Sequence, residues 1–438
     1  MNFSVRKFFS WLLLGIVLVL GSPAEANPPE IVKTMGEADY NEAFMFHITA
    51  TDLDGDIISA YVEYAWISDD VKVRKPIRFE KWQGKIDENV KIPATRDWRP
   101  PGSKLVYQWF VQDSTGQLTA GPVQEIVYQD NRYEWKKIET EHFITFHYES
   151  PRDAELIAQI AEESWSRITA DIGHELTEKT RIYVYADQFD YLEVGDDSLR
   201  DWAGGSAYTA DNLFILPASN DQDWLRQLVP HEFTHIVLDG KLGQYESYAP
   251  LWLSEGMSMF EEDSPAAVTD YMSQVARAKA EGYLVPLSEM TDFYFRDDDE
   301  VALMYAQCFT IVKYLYDTYG QEKLSRYIDL IAQGQTDEEA MQAAYGLSPE
   351  AFEAGWLAFI GEQPAPRFGD VLMRGDVLLF SSLVLLLVII GVVRYRVENR
   401  RRRARMRAED EAAMDSDVAE TMWYKPHRDI NEDEGEDK

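Results

Sequence analysis

Cysteine is almost absent from this chain, since Cys308 is the single one among 438 residues. One cysteine cannot form an intrachain disulfide, so no covalent crosslink of that kind holds the fold. Basic residues are also few: 42 lysines and arginines stand against 77 aspartates and glutamates, for a net charge of −35. A chain of that charge repels phosphate backbones, which argues against nucleic acid as a partner.

Long apolar runs are rare, and the first of two lies within residues 1–26. Arg6 and Lys7 form a basic start, Phe8–Leu20 is apolar, and Ala24-Glu25-Ala26 supplies a small-x-small cleavage site. These features predict a secretory signal peptide, with an uncleaved anchor helix as the alternative. Both interpretations place the following chain outside the cytoplasm.

The second apolar run is Val377–Val393, seventeen apolar or small residues without a charge. A helix of that length spans about 26 Å, enough for a bilayer core. Arginines follow at positions 394, 396, 400–403, 405 and 407. The pattern predicts a single-pass type I protein of the cell membrane, with its C-terminus in the cytoplasm. Residues 363–376 would be a juxtamembrane linker, and residues 394–438 a basic then acidic tail that is predicted to be disordered.

Helical periodicity is lacking in residues 27–133, where strand-forming residues dominate. Runs of aromatic and β-branched residues alternate with turn sequences such as Asp54-Gly55-Asp56. The predicted strands are Ala43–Thr51, Ile58–Trp66, Val73–Trp82 and Leu105–Gln112. About a hundred residues with this pattern predict one all-β, immunoglobulin-like sandwich.

Three aspartates in one of these turns, Asp52, Asp54 and Asp56, occupy alternate positions. Carboxylates at that spacing could bind calcium. An acidic turn between strands is the favoured interpretation, because no downstream glutamate is in register to serve as a bidentate ligand.

The strongest chemical signal is His231-Glu232-Phe233-Thr234-His235, taken together with Glu255. Two histidines four apart on a helix lie on one face, so both imidazoles can reach one tetrahedral ion. Glu232 sits one step round the helix, where it can contact a water on the metal. Glu255 falls in an otherwise apolar stretch, where a lone charge is very costly and a third metal ligand explains it. The alternative is that the histidines are core residues and Glu255 caps a turn or pairs with an arginine.

HEFTH at 231–235 followed by WLSEG at 252–256 resembles the gluzincin zinc metallopeptidases, in particular their peptidase-MA-like branch. The similarity extends over residues 137–362. It implies an α+β zincin domain of thermolysin-like type in residues 134–362, with a helical C-terminal part. It also implies that His231, His235 and Glu255 bind Zn2+, and that Glu232 is the general base in hydrolysis of a peptide or protein substrate.

The sequence departs from the family pattern at two positions. Some gluzincins place an aspartate four residues after the ligand glutamate to orient a histidine, and here that position is Met259. Pro230 directly precedes His231, which removes an amide donor and predicts a kink. The helix concerned is predicted to begin near Trp224 and to stop at Gly240. The helix that carries Glu255 is predicted to have Pro250 at its first position.

Tyr305 corresponds by the resemblance to a tyrosine that in many gluzincins donates to the oxyanion, and a phenol is a suitable electrophilic donor. Packing within a helix is an equal alternative, because Tyr314 and Tyr316 follow nearby.

Residues 134–362 show strands and one helix first, and then mainly helices. The predicted strands are His142–Tyr148, Arg181–Ala186, Gly204–Thr209 and Asn212–Pro217, with a helix after Ser150-Pro151 that Ser150 caps. The later helices are predicted to begin at Ser264-Pro265, Asp299, Gln321 and Ser348-Pro349, and Thr336 is predicted to cap a short helix before the last. The resemblance implies that a substrate backbone lies along an edge strand, for which Gly204–Thr209 is the candidate.

Together these patterns predict a membrane-anchored, extracytoplasmic zinc metallopeptidase. The alternatives are a protein that binds zinc without proteolysis, and a surface or receptor-like protein that uses its β-sandwich. Glu232 favours the enzyme, because a purely structural zinc needs no base. No pattern indicates the cleavage preference or the oligomeric state.

Overall fold

The computed structural model describes residues 27–69, 71–77, 79, 83–94, 98–194, 204–262, 264–290 and 298–362. The predicted signal peptide, the linker, the apolar segment 377–393 and the tail lie outside these residues. No helix within the described ranges is long and apolar enough to cross a membrane.

Residues 30–128 form two antiparallel sheets. The first contains β1 (Glu30–Asp39), β2 (Ala43–Thr51) and β5 (Lys85–Pro93), in the order β1-β2-β5. The second contains β3 (Ile57–Trp66), β4 (Val73–Ile77), β6 (Ser103–Asp113), β7 (Leu118–Ala120) and β8 (Gln124–Tyr128). Its order is β4-β3-β6, with β7 and β8 both paired to β6. An immunoglobulin constant-type domain pairs its fourth strand with the fifth, whereas β4 here pairs with β3.

One apolar core fills the space between these two sheets. Buried and half-buried residues alternate along the whole of β6, and Trp109 near its centre is fully buried. Trp109 and Tyr107 share a cluster with Phe46 and Ile48 of β2. The rings of Phe46 and Tyr107 lie 5.0 Å apart. Burial of large aromatic side chains therefore stabilises the sandwich without any disulfide.

The strand predictions for this region are confirmed in position but incomplete. β2 has the predicted bounds. Of the strand predicted for Val73–Trp82, the structure describes Val73–Ile77 as β4, and residues 78 and 80–82 lie outside the described ranges. The sequence criteria miss β1 and β5, in which charged residues interrupt the apolar ones. In β5, Ile86 and Val90 are the buried residues among alternating exposed ones.

A mixed sheet of five strands follows the sandwich. Its strands are β9 (Lys136–Glu139), β10 (Phe143–His147), β11 (Thr180–Tyr185), β12 (Ser206–Tyr208) and β13 (Leu213–Pro217), in the order β12-β13-β11-β10-β9. β10, β11 and β13 are parallel, and the two outer strands are antiparallel to their neighbours. β12 is therefore an edge strand, as the sequence predicts.

Helices lie on both faces of the mixed sheet and continue to residue 362. They are α1 (Pro151–Ile172), α2 (Gln188–Leu192), α3 (Gln222–Leu242), α4 (Leu251–Glu261), α5 (Pro265–Glu281), α6 (Asp298–Tyr319), α7 (Gln321–Ala332), α8 (Asp337–Tyr345) and α9 (Pro349–Glu362). The main cluster joins Phe143 and Phe214 of the sheet to Trp165 and Phe233 of the helices. The opposite face carries Tyr183 and other residues in a second cluster, which Trp98 and Trp135 adjoin.

One predicted side-chain cap is absent, and two predicted helix ends are wrong by one or two residues. Ser150 precedes α1 in the left-handed region with φ 48°, and its side chain makes no capping hydrogen bond. Pro250 is the residue before the first turn of α4 and lies in extended backbone, not at the first helical position. α3 runs through Gly240 and ends before Gly243, whose φ of 54° a glycine adopts without strain. A side chain at 240 would approach His174 Nε2 to 3.0 Å, so close packing explains that glycine.

Candidate metal centre

α3 carries both histidines of the HExxH motif toward one site. Asp221 caps α3 by accepting a hydrogen bond from the Trp224 amide at 3.0 Å. Apolar residues of α3 such as Phe233 are buried in the core. Pro230 lies inside α3 without ending it, and its carbonyl accepts from the Thr234 hydroxyl at 2.7 Å. Glu232 is only 6% exposed. The motif is thus held at the inner surface of the domain.

α4 brings Glu255 to the two histidines. A side chain at Gly256 would collide with the carbonyl of Cys308, so this glycine lets α4 and α6 approach closely. Glu255 Oε2 lies 3.6 Å from His231 Nε2 and 3.7 Å from His235 Nε2. The three residues form the one group of three or more histidines, cysteines and carboxylates with metal-binding geometry in the described part of the chain.

The arrangement fits a bound cation better than a set of hydrogen bonds. Glu255 Oε2 is buried and has no hydrogen-bond partner. Its distances to the imidazoles exceed a normal hydrogen bond. Ligand atoms in a tetrahedral zinc site with bonds of about 2.0–2.1 Å lie roughly 3.3–3.4 Å apart. The two distances from Glu255 Oε2 to the imidazoles are therefore within a few tenths of an ångström of that spacing, and the three ligand atoms all lie within 4.8 Å of one another.

Each histidine is oriented through its other ring nitrogen. Glu262 Oε1 lies 3.0 Å from His231 Nδ1, and because a carboxylate only accepts, Nδ1 is the protonated nitrogen and Nε2 faces Glu255. Ser254 Oγ lies 3.1 Å from His235 Nδ1. Tyr271 of α5 donates to Glu262 Oε2 at 3.1 Å and holds the carboxylate in place.

Glu262 takes the orienting role that the family pattern assigns to a carboxylate at position 259. Met259 itself is buried in the apolar core. Glu262 follows Glu255 by seven residues, which is two helical turns and therefore the same side of α4. The spacing of seven is a signal that the sequence contains, but it gains meaning only once α4 is known to pack beside α3.

Negative charge exceeds positive charge in this centre. Burial and, to a smaller extent, the charge of Glu255 raise the pKa of Glu232 to about 7, against the opposing influence of His231. Burial also lowers the pKa of His235 to about 4. For His231, burial is outweighed by Glu255 and Glu262, which together raise its pKa well above the usual value. Without an ion, the carboxylates hold a proton on His231, and a divalent cation would supply that positive charge instead.

Tyr305 of α6 also lies at the centre. Burial raises its pKa, and the charges of Glu255 and then Glu232 raise it further, so the phenol stays a protonated donor. The two tyrosines that follow on the same helix, Tyr314 and Tyr316, have other neighbours. The Tyr314 hydroxyl lies 3.2 Å from that of Tyr319, and the Tyr316 ring packs 4.9 Å from Phe260. Its surroundings therefore distinguish Tyr305 from the packed tyrosines that follow it.

The start of the edge strand β12 lies next to the carboxylate of Glu232. A side chain at Gly205 would lie 2.8 Å from Glu232 Oε1, so a glycine is needed there. The amide of Ala207 faces the same carboxylate and favours its charged form. Glu232 is thus enclosed between α3 and β12.

The aspartates at 52, 54 and 56 do not form a metal group. Asp52 Oδ1 accepts from the amides of Asp54 and Gly55, both at 3.0 Å. Asp54 Oδ2 accepts from the Asn27 amide at 2.9 Å. These bonds are those of an acidic turn between β2 and β3, the interpretation that the sequence favours.

Comparison with known proteins relates part of the second domain to a known family. Residues 160–362 match the family model described as the Peptidase MA superfamily. This match supports a peptidase-MA-like family and a metallopeptidase-like function for that region, and families of this kind are typically metal-dependent. No curated protein matches the chain.

Solved structures resemble the chain only weakly. The β-glucuronidase of Parabacteroides merdae is 8% identical over 48% of this chain and 28% of its own, with a TM-score of 0.19. β-Glucuronidase 2 of Bacteroides uniformis is 6% identical over 48% of this chain and 26% of its own, with a TM-score of 0.15. The chain therefore spans about a quarter of the structures it matches, and the similarity is too low to indicate a fold or an activity.

Proposed function

We propose that the chain is a gluzincin-type zinc metallopeptidase that hydrolyses peptide bonds, with Glu232 as general base. One observation supports this above all. His231 and His235 converge on a carboxylate oxygen of Glu255 that has no hydrogen-bond partner, and Glu232 lies beside these three residues without being part of the group. A structural zinc site is closed by four protein ligands and needs no such base. The match of residues 160–362 to a peptidase superfamily agrees with this interpretation.

Each residue of the centre has a definite part in the proposed reaction. Zinc, when bound, would polarise the scissile carbonyl and acidify the attacking water. Glu232 takes the proton of that water and later delivers it to the leaving amine. Glu262 and Ser254 hold the imidazoles so that their Nε2 atoms face the ion. Tyr305 donates to the oxyanion that develops on the substrate carbonyl.

The substrate is proposed to lie along β12. This strand is the last of its sheet, and β13 is its partner among the described residues. An extended peptide can add to such an edge by backbone hydrogen bonds. Glu232 lies directly below the strand, so a peptide bound there would pass over the base.

The test of this proposal is a peptidase assay on the full-length chain against a broad peptide library. The zinc-loaded protein should cleave at least one peptide, a zinc chelator should stop the cleavage, and added zinc should restore it. Cleavage that persists in chelator would contradict the mechanism. A zinc-loaded protein that cleaves nothing would instead favour a zinc-binding protein without proteolysis.

Tyr305→Phe should lower kcat roughly ten- to a thousandfold with little change in KM, because the hydroxyl is needed for the developing oxyanion and the ring is retained. Steady-state kinetics with one cleaved peptide measures both constants. Tyr316→Phe is the matched control, since it removes a hydroxyl from the same helix away from Glu232 and Glu255. An equal kcat in Tyr305→Phe and Tyr316→Phe would mean that Tyr305 is a packed residue without a role in catalysis.

The enzyme is further proposed to be anchored in the cell membrane with its catalytic domain outside the cytoplasm. Support comes from the sequence of residues 1–26 and 377–393 and from the arginines that follow Val393. Protease added to intact cells should remove the catalytic domain and spare a tag placed after Lys438. Loss of that tag from intact cells would reverse the proposed orientation.

A further inference from the structure

Side chains of the β-sandwich converge on a single carbonyl group of the second domain. The Val194 carbonyl accepts from the Tyr40 hydroxyl at 2.9 Å, from Asn41 Nδ2 at 3.2 Å and from Trp98 Nε1 at 3.1 Å. A carbonyl oxygen has two lone pairs, so three donors saturate it. Val194 is fully buried just after α2. Such a concentration of donors fixes the backbone at this point.

Val194 and β12 are held together by neighbouring contacts. The Tyr191 hydroxyl, one turn before Val194, lies 2.9 Å from Ser206 Oγ at the start of β12. The ring of Trp98 itself contacts the ring of Tyr208 at the end of β12, with centroids 5.5 Å apart. The sandwich therefore contacts the edge strand directly and also through α2.

A third link lies just beyond β12. Arg181 donates both to the carbonyl of Gly102 in the sandwich and to the carbonyl of Asp211 in the turn after the edge strand. A charged guanidinium makes strong, directional hydrogen bonds to such carbonyls. Both ends of the edge strand are thus attached to the sandwich.

The other side of β12 faces the catalytic glutamate. Gly205 is in contact with the Glu232 carboxylate, and the amide of Ala207 faces it. The proposed zinc ligands, in contrast, lie on α3 and α4 and are oriented by Ser254 and Glu262. The contacts of the sandwich therefore affect the positions of Glu232 and β12, and not those of the proposed zinc ligands.

We propose that the β-sandwich is a positioning element of the catalytic centre, in which Tyr40, Asn41 and Trp98 hold Val194 and β12 at the place where Glu232 and a bound peptide need them. This inference rests on the proposed peptidase function. Displacement of a reacting group by about 1 Å can cost roughly a hundredfold in rate, so a rigid edge strand matters for catalysis as well as for stability. Tyr40, Asn41 and Trp98 are accordingly positioning residues, since they act through β12.

The experiment compares two variants of the full-length, zinc-loaded chain. Tyr40→Phe with Trp98→Phe removes two of the three donors to Val194 and keeps aromatic rings at both places. Trp135→Phe is the matched control, because its indole donates at 2.7 Å to the Asp130 carbonyl at the same boundary and not to Val194. If the double variant is poorly folded, Tyr40→Phe alone, which deletes one hydroxyl, replaces it.

Two measurements decide the outcome. Hydrogen exchange of the amides in residues 204–211 should be faster in the double variant than in wild type and control, with bound zinc unchanged. kcat should fall roughly five- to fiftyfold in the double variant, and stay near wild type in the control.

The proposal would be overturned if hydrogen exchange in residues 204–211 were the same in the double variant as in wild type. It would also be overturned if exchange were faster in the double variant while its kcat equalled that of Trp135→Phe. A merely structural role predicts that melting temperature falls in both variants while kcat per folded molecule is unaffected. If wild type cleaves nothing, the peptidase proposal fails by itself, and the exchange measurement still shows whether the sandwich holds β12.

Discussion

Glu232→Gln should lower kcat by roughly 10²–10⁴, toward the upper end because one carboxylate serves as both base and acid. Glutamine keeps the shape of the side chain but is a far weaker base. Zinc should stay bound, because His231, His235 and Glu255 are unchanged. The measurement is kcat with a cleaved peptide, alongside metal analysis of the same sample.

Glu155→Gln is the control for this variant, since Glu155 is an exposed residue of α1. It should behave as wild type in both assays. Loss of zinc from Glu232→Gln would make Glu232 a ligand and not a base. Equal activity in Glu232→Gln and wild type would assign the cleavage to another site or to a contaminating protease.

His235→Ala should lose most of its zinc and with it the chelator-sensitive activity. Removal of a ligand-orienting partner typically costs 10–100-fold in metal affinity, and loss of a ligand itself should cost roughly a hundredfold or more. The variant also leaves Glu255 Oε2 with one imidazole neighbour where there were two. Metal analysis after dialysis against a weak chelator measures the occupancy.

His47→Ala is the matched control, because His47 lies on β2 of the sandwich and contacts Asn89 and Asp87. Its zinc content should equal that of wild type. Full zinc occupancy in His235→Ala would refute the assignment of the metal centre, whatever the activity of the protein.

Local patterns in the sequence were sufficient to predict which three residues come together at the candidate metal centre. Any helix that includes residues 231–235 places His231 and His235 on one face, so the pair follows from a spacing of four. Glu255 could be added because a charge in an apolar stretch needs a partner. The structure brings these three residues together, and the caps at Ser264 and Thr336 lie where the sequence predicts them.

Helix ends were less predictable, because glycine and proline act through their surroundings as well as through their own backbone. Gly240 looks like a helix stop, but α3 continues past it to Leu242, which is buried. Packing against His174 explains the glycine at 240. Only the tertiary contact separates a glycine that ends a helix from one that makes room for a neighbour.

Tertiary structure alone decided how the centre is supported. Glu262 orients His231 from a position 31 residues away, and Tyr40 and Trp98 reach Val194 across 154 and 96 residues. The hydrogen bonds of Tyr40 and Trp98 leave no period or spacing in the sequence, since they depend on how the sandwich meets the mixed sheet. The spacing of Glu262 from Glu255 is present in the sequence, but its role depends on how α4 packs on α3. The sequence by itself therefore determined the chemistry of the candidate metal centre, through short-range spacing on helices. The long-range packing of the folded chain determined which side chains hold that chemistry in place.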